Sequence, residues 1–151
     1  MSKIQFNGLT NTGAAYFYHF LCIYETRVKG GCSISQFPSD FPVAASLIDE
    51  MCTKGTIVYV PNQSYSTIPT NIVRGEKLYL LGTNRYADFF RHLRNALAHG
   101  SLNKKGDYYV YTDNGNVYHQ NHVIAHNVLT ACCRVKCNTI NAIITDILKH
   151  I

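Results

Sequence analysis

Arg94, Asn95 and His99 place a guanidinium, an amide and an imidazole within the run Arg94-Asn95-Ala96-Leu97-Ala98-His99. An imidazole exchanges protons near neutral pH, which suits it to general acid or base work. A guanidinium stays charged and presents a fork of donors that matches phosphate oxygens. The amide can orient either neighbour or donate to a substrate. On a helix, Asn95 and His99 are four apart and stack on one face, whereas Arg94 and His99 diverge by ~140° about the axis. One helix therefore does not aim both at one atom. Ala98 leaves the flank between them open to a phosphate or to a second helix. A symmetric partner helix would bring a second Arg and His opposite the first pair.

The element that must carry these residues is legible. Thr83 or Asn84 can cap a helix, because a short side-chain oxygen satisfies an orphan amide of the first turn. Tyr86, Phe90, Leu93 and Leu97 recur at helical spacing and form one apolar stripe. Gly100 supplies the left-handed residue that stops the helix.

The hexapeptide resembles the Arg, polar residue, three residues, His signature of the HEPN superfamily (higher eukaryotes and prokaryotes nucleotide-binding). The likeness is specific over residues 83–102, with support from an apolar C-terminal segment; the N-terminal half matches only in reading as helical. In HEPN ribonucleases two protomers pair their motifs into a composite, metal-independent site that cleaves RNA. The resemblance, with the elements read along the chain, leads to an all-α fold: a HEPN-like bundle of about four main helices with a β-hairpin inserted before the C-terminal helix. It also implies a homodimer, an RNA substrate, no cofactor, and Arg94, Asn95 and His99 as the site. A toxin or a defence factor, with an antitoxin or regulatory protein as partner, is the implied setting. Some HEPN toxins are silenced by modification of a Tyr two residues past the motif His; here that position is Ser101, which argues against that subtype.

The chemistry supplies a physical reason. RNA brings its own nucleophile, the 2′-hydroxyl, so the protein need only move protons and stabilise charge. Paired His99 residues would act as base and acid, and Arg94 would stabilise the charge that builds on the non-bridging oxygens. Arg91, Lys104 and Lys105 would hold flanking phosphates. The competing reading is a non-catalytic module that binds RNA, nucleotide or protein, in which Arg94 and His99 hold a dimer together or simply face solvent.

The rest of the sequence bounds these readings. A chain of 151 residues is one domain by length, 1–151, and 46% hydrophobic with 15% charged residues is a globular composition. A net charge of +5 is compatible with an acidic partner without demanding one. No run reaches the length of a membrane span. Ala14 to Tyr24 is apolar, but His19 interrupts it, the leader holds only Lys3, and no small-residue cleavage site follows, so a signal peptide is not expected. The six cysteines include the adjacent Cys132 and Cys133 and form no Cys-x-x-Cys pair. Buried free thiols in a reducing cytoplasm fit better than a disulfide framework.

Along the chain, residues 1–11 read as an arm. Thr12 to Val28 reads as a helix rich in aromatic residues (Tyr16, Phe17, Tyr18, Phe20), which suit a core or dimer contact more than a platform for bases, and Lys29-Gly30-Gly31 breaks it. Ser39 to Lys54 reads as a second helix with Pro42 in its first turn and Ala44, Leu47, Ile48 and Met51 inward. Ile57 to Pro61 looks extended, residues 61–75 form a loop, and Glu76 to Leu81 is a helical turn or a strand. After the Lys104-Lys105-Gly106 turn, Asp107 to Thr112 alternates like a strand, and Asn114-Gly115 predicts the tight turn of a hairpin that Val117-Tyr118-His119 continues. Asn127 to Lys149 reads as the closing helix, packed against the motif helix.

His119, His122 and His126, with Cys132, Cys133 and Cys137 close behind, raise a metal site. Their order and spacing match no common zinc template, so none is expected. A cysteine nucleophile is not expected either, since buried thiols are inert by default.

Overall fold

The computed structural model describes residues 17, 19–20 and 37–149. The arm, most of the first helix, Lys29-Gly30-Gly31, Cys22 and Cys32 lie outside the described residues. Phe17, His19 and Phe20 are helical. Phe17 meets Tyr109 edge-on at 5.2 Å and Phe20 lies 6.1 Å from Phe90. Both rings are fully buried, so these two aromatic residues belong to the core.

The all-α expectation is wrong: the chain builds a five-stranded mixed sheet in the order β1-β2-β5-β4-β3. Its strands are β1 (Ile57–Val60), β2 (Lys77–Leu81), β3 (Asn103–Lys105), β4 (Tyr108–His119) and β5 (His122–Lys136). β1 and β2 pair in parallel and the remaining pairs are antiparallel. The helices are α1 (Phe37–Asp40), α2 (Pro42–Thr53), α3 (Arg85–Ala98) and α4 (Cys137–Lys149). The fold is α/β, and the hairpin of β4 and β5 is the middle of the sheet rather than a ribbon added to a bundle.

Two local readings explain the error. The C-terminal helix begins at Cys137, not Asn127; residues before it form β5. On β5, Ala131, Cys133 and Val135 pack towards the helices, while Cys132 packs on the opposite face with Val60, Leu81 and Val117. A strand buried on both faces reads as an unbroken apolar run, which periodicity does not separate from a buried helix. The Asn114-Gly115 turn is also wrong: β4 runs through it, and the hairpin reverses at Gln120 and Asn121, whose φ values are 50° and 66°. Register shifts at Asp113/Asn114 and Gly115/Val117 absorb the Asn-Gly pair as strand irregularities.

The helix read as unbroken from Ser39 to Lys54 is divided, with α1 ending at Asp40 and α2 starting at Pro42, and Lys104-Lys105, read as part of a turn, lies on β3. In α2, Ala44, Ile48 and Met51 are buried, and Gly55 follows at φ 76°. Pro42 opens this helix without a side-chain cap from Phe41; instead the buried Asp146 on α4 accepts a hydrogen bond from the Ala44 amide at 2.9 Å. A carboxylate at a helix N-terminus meets both the orphan amide and the helix dipole. α4 accordingly packs chiefly on α2 rather than on the motif helix. The segment between β1 and β2 includes a short 3-10 stretch, Asn62–Thr67, and covers the sheet face away from the helices through Tyr65, Ile68 and Ile72. Among the described residues, no helix is long and apolar enough to cross a membrane.

Candidate functional site

α3 forms as the sequence implies. The Asn84 side chain accepts from the Ala87 amide at 3.2 Å, and Gly100 takes φ 71° just past the C-terminus. Asp88 reinforces the start by accepting from the Asn84 amide at 2.9 Å. Tyr86, Phe90, Leu93 and Leu97 are buried, with Phe89, His92 and Ala96 beside them.

The polar side chains of α3 form a chain of contacts that ends on the sheet. Arg94 Nη1 donates to Asn95 Oδ1 at 3.1 Å. Asn95 Nδ2 donates to Asp113 Oδ2 on β4 at 3.2 Å. The same Oδ2 lies 2.9 Å from His92 Nδ1. His92 Nε2 lies 2.9 Å from the Leu81 carbonyl oxygen and 3.2 Å from Arg91 Nη2. His92 and Asp113 are 1% and 4% exposed, so this pair is sealed from water. Asp113 Oδ1 is buried with no hydrogen-bond partner among the described residues.

His99 stands at the end of this series as the C-cap residue of α3. Its amide donates to the Asn95 carbonyl at 3.0 Å, its side chain is exposed, and its ring makes no hydrogen bond to a described residue. The Asn95 side chain thus holds Arg94 and Asp113 rather than the His99 ring. Arg91 adjoins the same cluster: its Nε and Nη2 bond Asp88 Oδ1 at 3.3 and 3.1 Å, and Nη2 lies 3.4 Å from the Leu81 carbonyl and 3.2 Å from His92 Nε2.

The expected phosphate-binding residues divide between two places. Arg91 lines a cavity of about 450 Å³ with Asn62, Gln63, Tyr118 and His119. Lys104 lines another of about 460 Å³ with Tyr108, Lys136 and Asn141, near the start of α4. Lys104 and Lys105 lie on β3, with Lys104 Nζ donating to the Gly106 carbonyl at 2.8 Å.

His92 and Asp113 are the residues that sequence reasoning missed. His92 lies three residues after Phe89 and four before Ala96, both on the buried face, and that spacing places it inward. Asp113 was hidden by the apparent turn next to it.

His119 and His122 are cross-strand partners beside the hairpin tip. Among the described residues, no group of three His, Cys, Asp or Glu side chains converges as metal ligands do. Cys52, Cys132, Cys133 and Cys137 are free thiols, and burial pushes the ionisation of each upward. A thiol kept neutral is a poor nucleophile.

Comparison of the chain with protein-family models, with curated proteins and with solved structures found no match.

Proposed function

We propose that the C-terminal end of α3 is half of a metal-independent RNA-cleaving site, completed by the same helix of a second copy. The observation that supports this most is the relay from Asp113 through Asn95 to Arg94, which holds a guanidinium five residues before the exposed imidazole of His99. The motif likeness supports it as well; the likeness of overall fold does not, because the sheet departs from an all-helical bundle. Pre-fixed charge lowers the reorganisation needed when negative charge builds in a transition state.

In this reading His99 takes the proton of the RNA 2′-hydroxyl. The oxygen attacks the adjacent phosphorus, the bond to the 5′-oxygen breaks, and the partner subunit's His99 protonates that leaving oxygen. Arg94 holds the non-bridging oxygens throughout. The products are a 2′,3′-cyclic phosphate and a 5′-hydroxyl, and Asn95 is a positioning residue. Such an activity fits a toxin or defence factor in a reducing cytoplasm, where the buried thiols stay free.

The relay also favours a second reading, because it ties α3 to β4 whether or not chemistry occurs. In that reading the motif stabilises a non-catalytic binding module. RNA cleavage in excess chelator, with Arg94→Ala and His99→Ala measured beside the parent, separates the two. Cleavage to cyclic phosphate ends that both variants lose, with oligomeric state unchanged, supports the enzyme. Cleavage unchanged in both variants overturns the proposed site. A parent that does not cleave, with variants that lose the dimer or the fold, establishes the structural role.

A further inference from the structure

The groove between the 3-10 stretch and the hairpin tip is lined mostly by polar, charged and aromatic side chains. The 450 Å³ cavity is joined by a second, of about 210 Å³, that shares Asn62, Arg91 and Tyr118 with it. Together they fall in the size range of small-molecule sites. Arg91 is fixed in this groove through Nε and Nη2, while its Nη1 makes no hydrogen bond to a described residue. A guanidinium pinned on one edge and open on the other suits an anionic oxygen.

The other groups are equally specific. Tyr118 is 52% exposed, and an exposed aromatic side chain can stack a base. His119 Nε2 lies 3.0 Å from Gln63 Nε2. This contact joins the Gln63 amide to the imidazole, whose other nitrogen, Nδ1, makes no hydrogen bond to a described residue. Asn62 Nδ2 donates to the Tyr118 carbonyl at 2.9 Å, which ties the 3-10 stretch to the hairpin. The left-handed backbone at Gln120 turns the tip so that this residue lines the same groove. Asp88, the acidic residue of the groove, is already engaged by Arg91 and the Asn84 amide.

We infer that this groove binds a nucleoside monophosphate unit, with the phosphate on Arg91 and His119 and the base against Tyr118, its edge read by the amides around it. The unit is either part of a single RNA strand or a free nucleotide. The inference stands on the groove's own chemistry and holds whether or not Arg94 and His99 cleave RNA.

Calorimetric titration tests it with two probes that the proposed reaction cannot consume: adenosine 5′-monophosphate, and a short single-stranded oligonucleotide with 2′-O-methyl riboses. The full chain should bind at least one probe. Tyr118→Ala and Arg91→Lys should each weaken binding about tenfold, the loss expected for a stacked base or a forked donor. Unchanged thermal unfolding of both variants confirms that the fold persists. Preference for the oligonucleotide assigns the groove to RNA, and preference for the mononucleotide assigns it to a free ligand. Binding of neither probe, or a loss at only one or neither of the two variants, overturns the inference. Since neither probe has a free 2′-hydroxyl beside a scissile phosphate, failure here is distinct from failure of the cleavage assay.

Discussion

His92 and Asp113 meet at 2.9 Å in the interior, one on α3 and one on β4, and this contact is where the motif helix is locked to the sheet. Asp113 Oδ2 takes both His92 and Asn95, while Oδ1 takes no described donor. Removing the carboxylate would leave the buried Nδ1 of His92 and the Asn95 amide facing nothing. Asp113→Ala should therefore cost about 1–3 kcal/mol of stability, the usual scale for leaving a buried hydrogen-bonding group without its partner. Urea unfolding of the variant checks this. A cost below about 0.5 kcal/mol, the size of an ordinary surface substitution, would contradict the lock.

Gly82 is required by its neighbour. Its φ is 131°, and a Cβ built there would lie 2.0 Å from Asp88 Oδ2. That oxygen accepts from the Asn84 amide at the start of α3, so it cannot retreat without loosening the helix. Gly82→Ala should destabilise the protein by about 1–3 kcal/mol through backbone strain and the lost contact. It should also release Arg91, which Asp88 holds. Thermal unfolding measures the first effect and nucleotide titration the second. A variant as stable as the parent would show that Asp88 moves freely.

Much of the motif helix was legible because its signals are local. Asn84 and Gly100 punctuate it, and Tyr86, Phe90, Leu93 and Leu97 repeat at its own period. The sheet was not legible for the opposite reason. β2 and β5 bury residues on both faces, so Leu80 and Leu81, or Cys132 and Cys133, sit side by side in sequence and point to different cores. Their identity as strands depends on partners far along the chain, which a local pattern does not contain. The Asn114-Gly115 pair then misled by being a good turn that the longer pairing of β4 with β5 overrides. For the site, the nearness of Arg94 to His99 was readable, but the anchoring of Asn95 by Asp113 needed the sheet first.

The Asn95 relay makes its own forecast. Asn95→Ala removes one acceptor of Arg94 and one donor to Asp113, while the exposed ring of His99 is untouched. If cleavage occurs as proposed, this variant should lose about 10²-fold in kcat, as expected when a charge-stabilising group is misplaced. Its pH profile, set by His99, should keep its shape. A changed profile with little loss of rate would instead mean that Asn95 acts on the imidazole.

Alkaline pH should destabilise the fold through its buried thiols and phenols. Burial raises the ionisation of Cys133 above its ordinary 9.0 and that of Tyr111 well above 10.0. The folded chain holds these protons more tightly than the unfolded one. Above about pH 9 the unfolded chain begins to release protons that the folded chain retains, so stability falls as pH rises. Below that point the contribution is fully present and constant. Urea midpoints measured from pH 7 to pH 11 should therefore be steady at first and then decline. The decline should be smaller in Cys133→Ala once its lower starting stability is subtracted. A flat profile through pH 10 would mean that these groups ionise as readily folded as unfolded, and that the core of β4 and β5 admits water.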